Sequence, residues 1–238
     1  MKTFKTQPNS GSMAHGIRAS QRGHRARIAR HAAIACCALA LGACSLLSPK
    51  PKDLATIYSP DPRVTLDASA PSVDWQLLVS GPVATGMIDS QRIAVRPVPG
   101  EMQVYKGATW AKRPTAMLED AVLRALEDSG RIGAVARQGS GVTADYKLVM
   151  EVRRFESAYA GNAVPSVVVE VNAKLLHAQD EDIVEARTFT HTRQAAGTDV
   201  ATVVTAFDAA LAETTREIAT WVLVTGQAHE RTGHRSKK

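Results

Sequence analysis

Apolar positions along this 238-residue chain recur with two periods, and the switches between them mark out its elements. A period of two, in which residues of the same parity share one face of a strand, runs through Trp75 to Val79 and Arg92 to Val98. In the second of these, Ile93 and Val95 point together while Arg92, Ala94 and Arg96 point the other way. Met102 to Trp110 continues the extended pattern, with a bend expected at Gly107, and Leu54 to Tyr58 is a shorter strand stopped by Pro60 and Pro62. The period then changes. Leu118, Ala121, Val122, Ala125 and Leu126 recur at three- and four-residue steps, predicting a helix from about Thr115 to Ser129 with Gly130 as its stop. Thr115 is placed to cap that helix through its hydroxyl, and Glu119 and Asp120 lie near the start, where the helix dipole favours acids.

A short apolar piece, Ile132 to Val135, leads into long strands. Tyr146, Leu148, Met150 and Val152 share a face in Asp145 to Phe155; Val167, Val169, Val171, Ala173 and Leu175 do so in Ser166 to Ala178. Gln179 to Asp182 are turn residues, and the threonine-rich stretch Ile183 to Thr192 that follows predicts a hairpin with one solvated face. From Asp199 to about Val224, Val203, Phe207, Leu211, Ile218, Trp221 and Val222 keep helical spacing, giving a long amphipathic helix. Strands, helix, strands, helix, with short turns in the middle, predict an α+β fold: a single domain with a mostly antiparallel sheet and two helices packed on one face.

The amino end is patterned differently. Seven Lys or Arg and no acidic residue occur in the first 44 positions, followed by an apolar run from Ala32 to Leu47. That is the layout of an export signal. At 16 residues the run falls short of the roughly 20 a helix needs to cross a bilayer core. Leu41, Gly42, Ala43 and Cys44 resemble the bacterial lipobox, in which a peptidase cuts before a cysteine that carries a diacylglyceryl group. An ordinary signal cut after Ala43, or a short uncleaved anchor, are the alternatives. The lipobox reading divides the chain into a lipoprotein signal peptide (1–43), an acylated tether (44–53), a folded domain (54–225) and a basic disordered tail (226–238). Ser45 after the cysteine resembles the signal for transfer to the outer membrane. Cys44 is the lipid-attachment candidate, anchoring the protein to the membrane through its N-terminal acyl chains.

This division changes what the charge means. The formal charge of +6 disappears with the signal, since 22 Lys and Arg then face 23 Asp and Glu, so no nucleic-acid partner follows from it. All three cysteines, Cys36, Cys37 and Cys44, lie at or before the cut, so the domain holds itself without disulfides. No GxSxG, HExxH, CxxC, Walker A or GxGxxG motif occurs. His177 and His191 could be neighbours across the hairpin and bind a metal, but half-exposed strand histidines are the simpler reading. Asp180, Glu181 and Asp182 read as a solvated turn. No catalytic residue, cofactor or metal site is assigned, and the protein is read as not an enzyme.

The order of features carries more information than any single motif. After the lipobox come ATIYSPDP (55–62), IDSQRIAVRPV (88–98), MQVYKGATWAKRPTAMLEDAVLRALEDSGRI (102–132), ADYKLVMEVRRFES (144–157) and a closing helix ending EIATWV (217–222). This series resembles the ABC-type transport auxiliary lipoprotein family, the PqiC-like proteins, with Tyr105, Trp110, Pro114 and Leu118 in the places of the family's aromatic strand and Pro-led helix. The resemblance implies an outer-membrane lipoprotein facing the periplasm. Its partners would be an MCE protein and an ABC permease and ATPase that move phospholipid between membranes, and its relatives form ring-like homo-oligomers. Met102, Tyr105 and Trp110 are the interface candidates, because aromatic and Met side chains concentrate at binding hot spots. Another non-enzymatic envelope lipoprotein, such as an outer-membrane assembly factor, is the alternative.

Overall fold

The structure, a computed structural model, describes residues 54–233. Its spine is a 13-residue strand, β7 (Tyr146–Ala158), about 43 Å long at the rise of an extended chain. Valine-rich β8 (Ser166–His177) runs antiparallel along one edge of it, and β9 (Ile183–Gln194) runs antiparallel to β8. The other edge of β7 is filled piecewise. Strand β2 (Val73–Val79) takes Tyr146 to Leu148, β3 (Val83–Ala84) takes Glu151 and Val152, and β4 (Arg92–Arg96) takes Ser157 and Ala158, all in parallel. The sheet therefore forks: β6 (Ile132–Arg137) extends it beyond β2, while β5 (Gln103–Trp110) and edge strand β1 (Thr56–Tyr58) extend it beyond β4. The longest ladders are antiparallel, as expected. The parallel additions were not, because periodicity reveals which face a residue takes and not which neighbour its backbone chooses.

Phase along β7 decides what reaches the core. Tyr146, Leu148, Met150 and Val152 face inward as their parity predicts, and a register shift between Val152 and Arg154 then turns Phe155 and Ser157 inward in their place. Opposite them, Val167, Val169, Val171, Ala173 and Leu175 are all buried. Helix α1 (Pro114–Ser129) and helix α2 (Val200–Gly233) cover this face. Burying an aliphatic or aromatic side chain contributes roughly 1.5–3 kcal/mol, so this face, with Leu118, Val122, Leu126, Phe207, Leu211 and Ile218 laid over it, is the main source of stability.

The helix ends follow local chemistry, with two departures. Pro114 opens α1 at the position where a missing N–H costs nothing, and Arg113 before it is extended. Thr115 is inside the first turn instead of capping it, and its hydroxyl donates to Asp89 Oδ1 at 2.6 Å. Glu119 and Asp120, too far along to meet the dipole, pair with Arg137. Gly130 ends α1 in the left-handed region, as expected. Asp199 caps α2 by accepting the Thr202 N–H at 3.0 Å.

Helix α2 also overruns the expected boundary. The tail predicted to be disordered from residue 226 is helical through Gly233, which makes α2 about 51 Å long. Its last turns are docked: the Tyr146 hydroxyl lies 2.8 Å from both His229 Nδ1 and Glu230 Oε1. Gly226 is the entry point for Trp75, whose ring would stand 3.0 and 3.1 Å at two of its atoms, and closer at Cζ2, from any Cβ placed there. Gly226, the first residue of the expected tail, is a notch in the helix.

Candidate docking surface

The three interface candidates separate in the structure. Trp110, the last residue of β5, is 1% exposed; its ring meets Phe207 of α2 edge-on at 5.1 Å and Phe155 at 6.0 Å. It belongs to the core and cannot meet a partner without unfolding. The reason lies in β5, whose end passes directly beneath α2. Met102, just before the strand, and Tyr105, near its start, are partly buried, and Tyr105 packs against the core. Burial is the main cause that pushes the Tyr105 phenol above its ordinary pKa, and its hydroxyl is fixed 3.0 Å from Ser157 Oγ.

Between β4 and β5 the chain turns through Pro97 to Met102, with Gly100 at a φ of 84° that glycine alone adopts cheaply. Val98, flanked by two prolines, is 49% exposed at this tip. It is a member of the surface that the strand pattern did not single out; an apolar residue held between Pro97 and Pro99 in a turn was the available signal. Val98 and Met102 thus offer apolar side chains at the tip of the hairpin, while Tyr105 packs inward against the core.

The hairpin tip has a stiff foundation. Glu156, 1% exposed, accepts a bidentate pair from Arg96 Nε and Nη2 at 3.0 and 2.9 Å, and further bonds from Arg154 Nε and Nη2 at 3.1 and 2.9 Å. Burial alone would raise this carboxyl's pKa, but the hydrogen bonds from the two guanidiniums outweigh it and hold the group below its ordinary range. The Arg96–Glu156 pair braces β4 against β7 beside a ladder of only two residue pairs.

Histidine chemistry does not assemble. His191 pairs with Val169 across the ladder, eight residues from His177, so the two are about 26 Å apart and cannot share a metal. His177 is buried, not half-exposed, with Nδ1 2.9 Å from Asp180 Oδ1; His191 Nε2 lies 2.8 Å from Glu217 Oε2 and Nδ1 3.2 Å from Glu213 Oε2. Among the described residues no group of three or more His, Cys, Asp or Glu could hold a metal, and no helix is long and apolar enough to cross a membrane. The clefts along α1 are lined by ion pairs, Arg124 with Asp61 and Lys112 with Asp120, that satisfy one another. Cys44 lies outside the described residues.

Comparison with known proteins agrees with this anatomy. The model of the ABC-type transport auxiliary lipoprotein component family matches residues 56–219. A crystallised protein from Xanthomonas campestris is similar at 54% identity, with a TM-score of 0.73, over 75% of this chain and all of that one. A second solved structure, of an uncharacterized protein, shares the fold at 16% identity and a TM-score of 0.52, over 66% of this chain and 97% of that one. An uncharacterized Bradyrhizobium diazoefficiens protein is 24% identical over 159 residues, covering 67% of this chain; the match spans 42% of that protein's length.

Proposed function

This chain belongs to the family of ABC-type transport auxiliary lipoprotein components, and from that membership we propose that it is a non-enzymatic docking lipoprotein. In this reading it is acylated at Cys44, held on the periplasmic face of the outer membrane, and serves a phospholipid transport system of MCE protein, ABC permease and ATPase. The observation that carries the proposal is the extent of the family match, which takes in every strand and most of α2. The physical anatomy supports it. A docking piece needs a rigid body, an anchor and an exposed contact surface, whereas a catalyst needs a convergent reactive cluster in a pocket. The rigid body is the sheet braced by two helices, and in this reading the contact surface is the hairpin tip bearing Val98 and Met102.

Photocrosslinking tests it. A photoreactive residue placed at Val98 or Met102 in cells should capture the MCE protein encoded with the permease, while the same residue at Thr190, on the exposed outer part of β9, should not. Capture of an outer-membrane assembly factor, or equal capture from all three positions, would sink the proposal.

A further inference from the structure

Edge strand β1 presents a surface that the hairpin tip does not use. Ile57 of β1 is 68% exposed, and Leu54, two residues before the strand, is 94% exposed. Ile57 pairs with Thr109, and Thr109 with Arg92 on the next strand, so Ile57, Thr109 and Arg92 form a row across three strands. Trp110, next to Thr109, points into the core, so this row points away from it. Arg92 is exposed, as is Lys106 in the bulged part of β5, and among the described residues neither side chain makes an ion pair. The acids nearest in the adjoining loops are engaged: Asp61 by Arg63 and Arg124, Asp89 by Thr115 and Arg113. The edge therefore combines exposed aliphatic groups with uncompensated cations.

Its position in the chain says what covers it. Cys44 precedes Leu54 by ten residues, which reach at most about 35 Å when fully extended. We infer that the β1 edge lies against an anionic phospholipid surface, with Leu54 and Ile57 at the headgroup boundary and Arg92 and Lys106 over the phosphates. This rests on the acyl anchor of the proposed function and goes beyond it: the anchor by itself specifies no orientation of the domain, and the edge gives it one. Because the tether already holds the domain near the bilayer, a contact too weak to bind from solution is populated on the surface.

The test uses the full acylated protein. Residues 45–238 contain no cysteine, so Ala55→Cys and, as reference, Thr190→Cys each carry one nitroxide label. In vesicles of phosphatidylcholine with phosphatidylglycerol, the label at 55 should become accessible to lipid-soluble oxygen and shielded from a water-soluble nickel reagent, while the label at 190 stays wet. Arg92→Gln with Lys106→Gln should shift the contact equilibrium roughly 25-fold toward the free state, at about fivefold per cation, as should high salt. A label at 55 as water-exposed as that at 190 in these vesicles overturns the inference. Sedimentation with pure phosphatidylcholine vesicles, which depends on the acyl chains and not on the edge, reports separately on the anchor; its failure would remove the anchor reading.

Discussion

Gly226→Ala sets two physical effects of opposite sign against each other. An alanine in the interior of a helix is favoured over glycine by about 1 kcal/mol, so a helix end that is merely frayed or solvated should gain stability. The docked structure predicts the reverse. A Cβ at 226 would stand closer to the Trp75 ring than side chains ever approach, and Trp75 cannot withdraw because Tyr146 packs on its other side at a centroid distance of 4.8 Å. Overpacking of this kind costs about 2–3 kcal/mol, leaving a net loss of about 1–2 kcal/mol. For a domain of this size that is a fall in Tm of about 2–8 °C, read by circular dichroism or calorimetry on the purified mature protein. Combining the change with Trp75→Leu removes the wedge, and Gly226→Ala should then become stabilising in that background. A rise in Tm from Gly226→Ala alone would refute the docking of the last turns of α2 on the sheet.

Other expectations follow from the same packing. Phe207→Asp, against Trp110 and Phe155, or Leu211→Asp, at an equally buried position of α2, buries an unpaired charge and should abolish cooperative thermal unfolding. Glu156→Gln should cost about 1–3 kcal/mol at pH 7 by breaking the bridge between Arg96 and Arg154. Because the folded-state pKa of Glu156 is lowered, its contribution is present above its unfolded pKa, near 4.3, and lost as pH falls through the lower folded value. The gap between wild type and Glu156→Gln in urea unfolding should therefore narrow on acidification below about pH 4.5. Tyr146→Phe deletes the hydroxyl shared by His229 and Glu230 and should raise amide exchange across residues 226–233, with little change in α1. Cys44→Ser should leave the precursor uncut or the protein out of the outer-membrane fraction; an acylated protein still found there would contradict the lipobox reading.

The sequence made the faces legible where burial is one-sided. Strands β7 and β8 alternate between core and open face for most of their length, so period two located Tyr146, Leu148, Val169 and Leu175 correctly. It failed at the Val152 to Arg154 shift, since one inserted residue reverses parity without any change in composition. Pairing was less visible still. Strands β2, β3 and β4 share β7 because short segments with exposed backbone groups need a long edge, and that need leaves no periodic trace. The end of α2 was hidden for a related reason: the residues from Gly226 on read as a basic tail unless Trp75, 151 positions earlier, is known to fill the notch. Of the interface candidates, Tyr105 and Trp110 lie on one strand and both pack against the core, Trp110 more deeply, a difference that strand period alone does not reveal.

A forked sheet built on one long strand also accounts for how this domain can hold out a contact surface. Each of Leu77–Val79, Val83–Ala84 and Val95–Arg96 is too short to persist alone, and each is held by a different stretch of β7. The Arg96–Glu156–Arg154 bridge, with its carboxylate buried, sits at the β4 contact, a ladder of only two residue pairs and the one that carries the hairpin and β1 outward. Breaking it should therefore loosen the hairpin tip and the β1 edge together while β8, β9 and α2 keep their packing. Hydrogen exchange on Glu156→Gln that rises in residues 92–110 and stays level in residues 166–194 is the expected pattern. A uniform rise would mean that the bridge supports the whole domain, and that the arm bearing both surfaces has no separate rigidity to transmit.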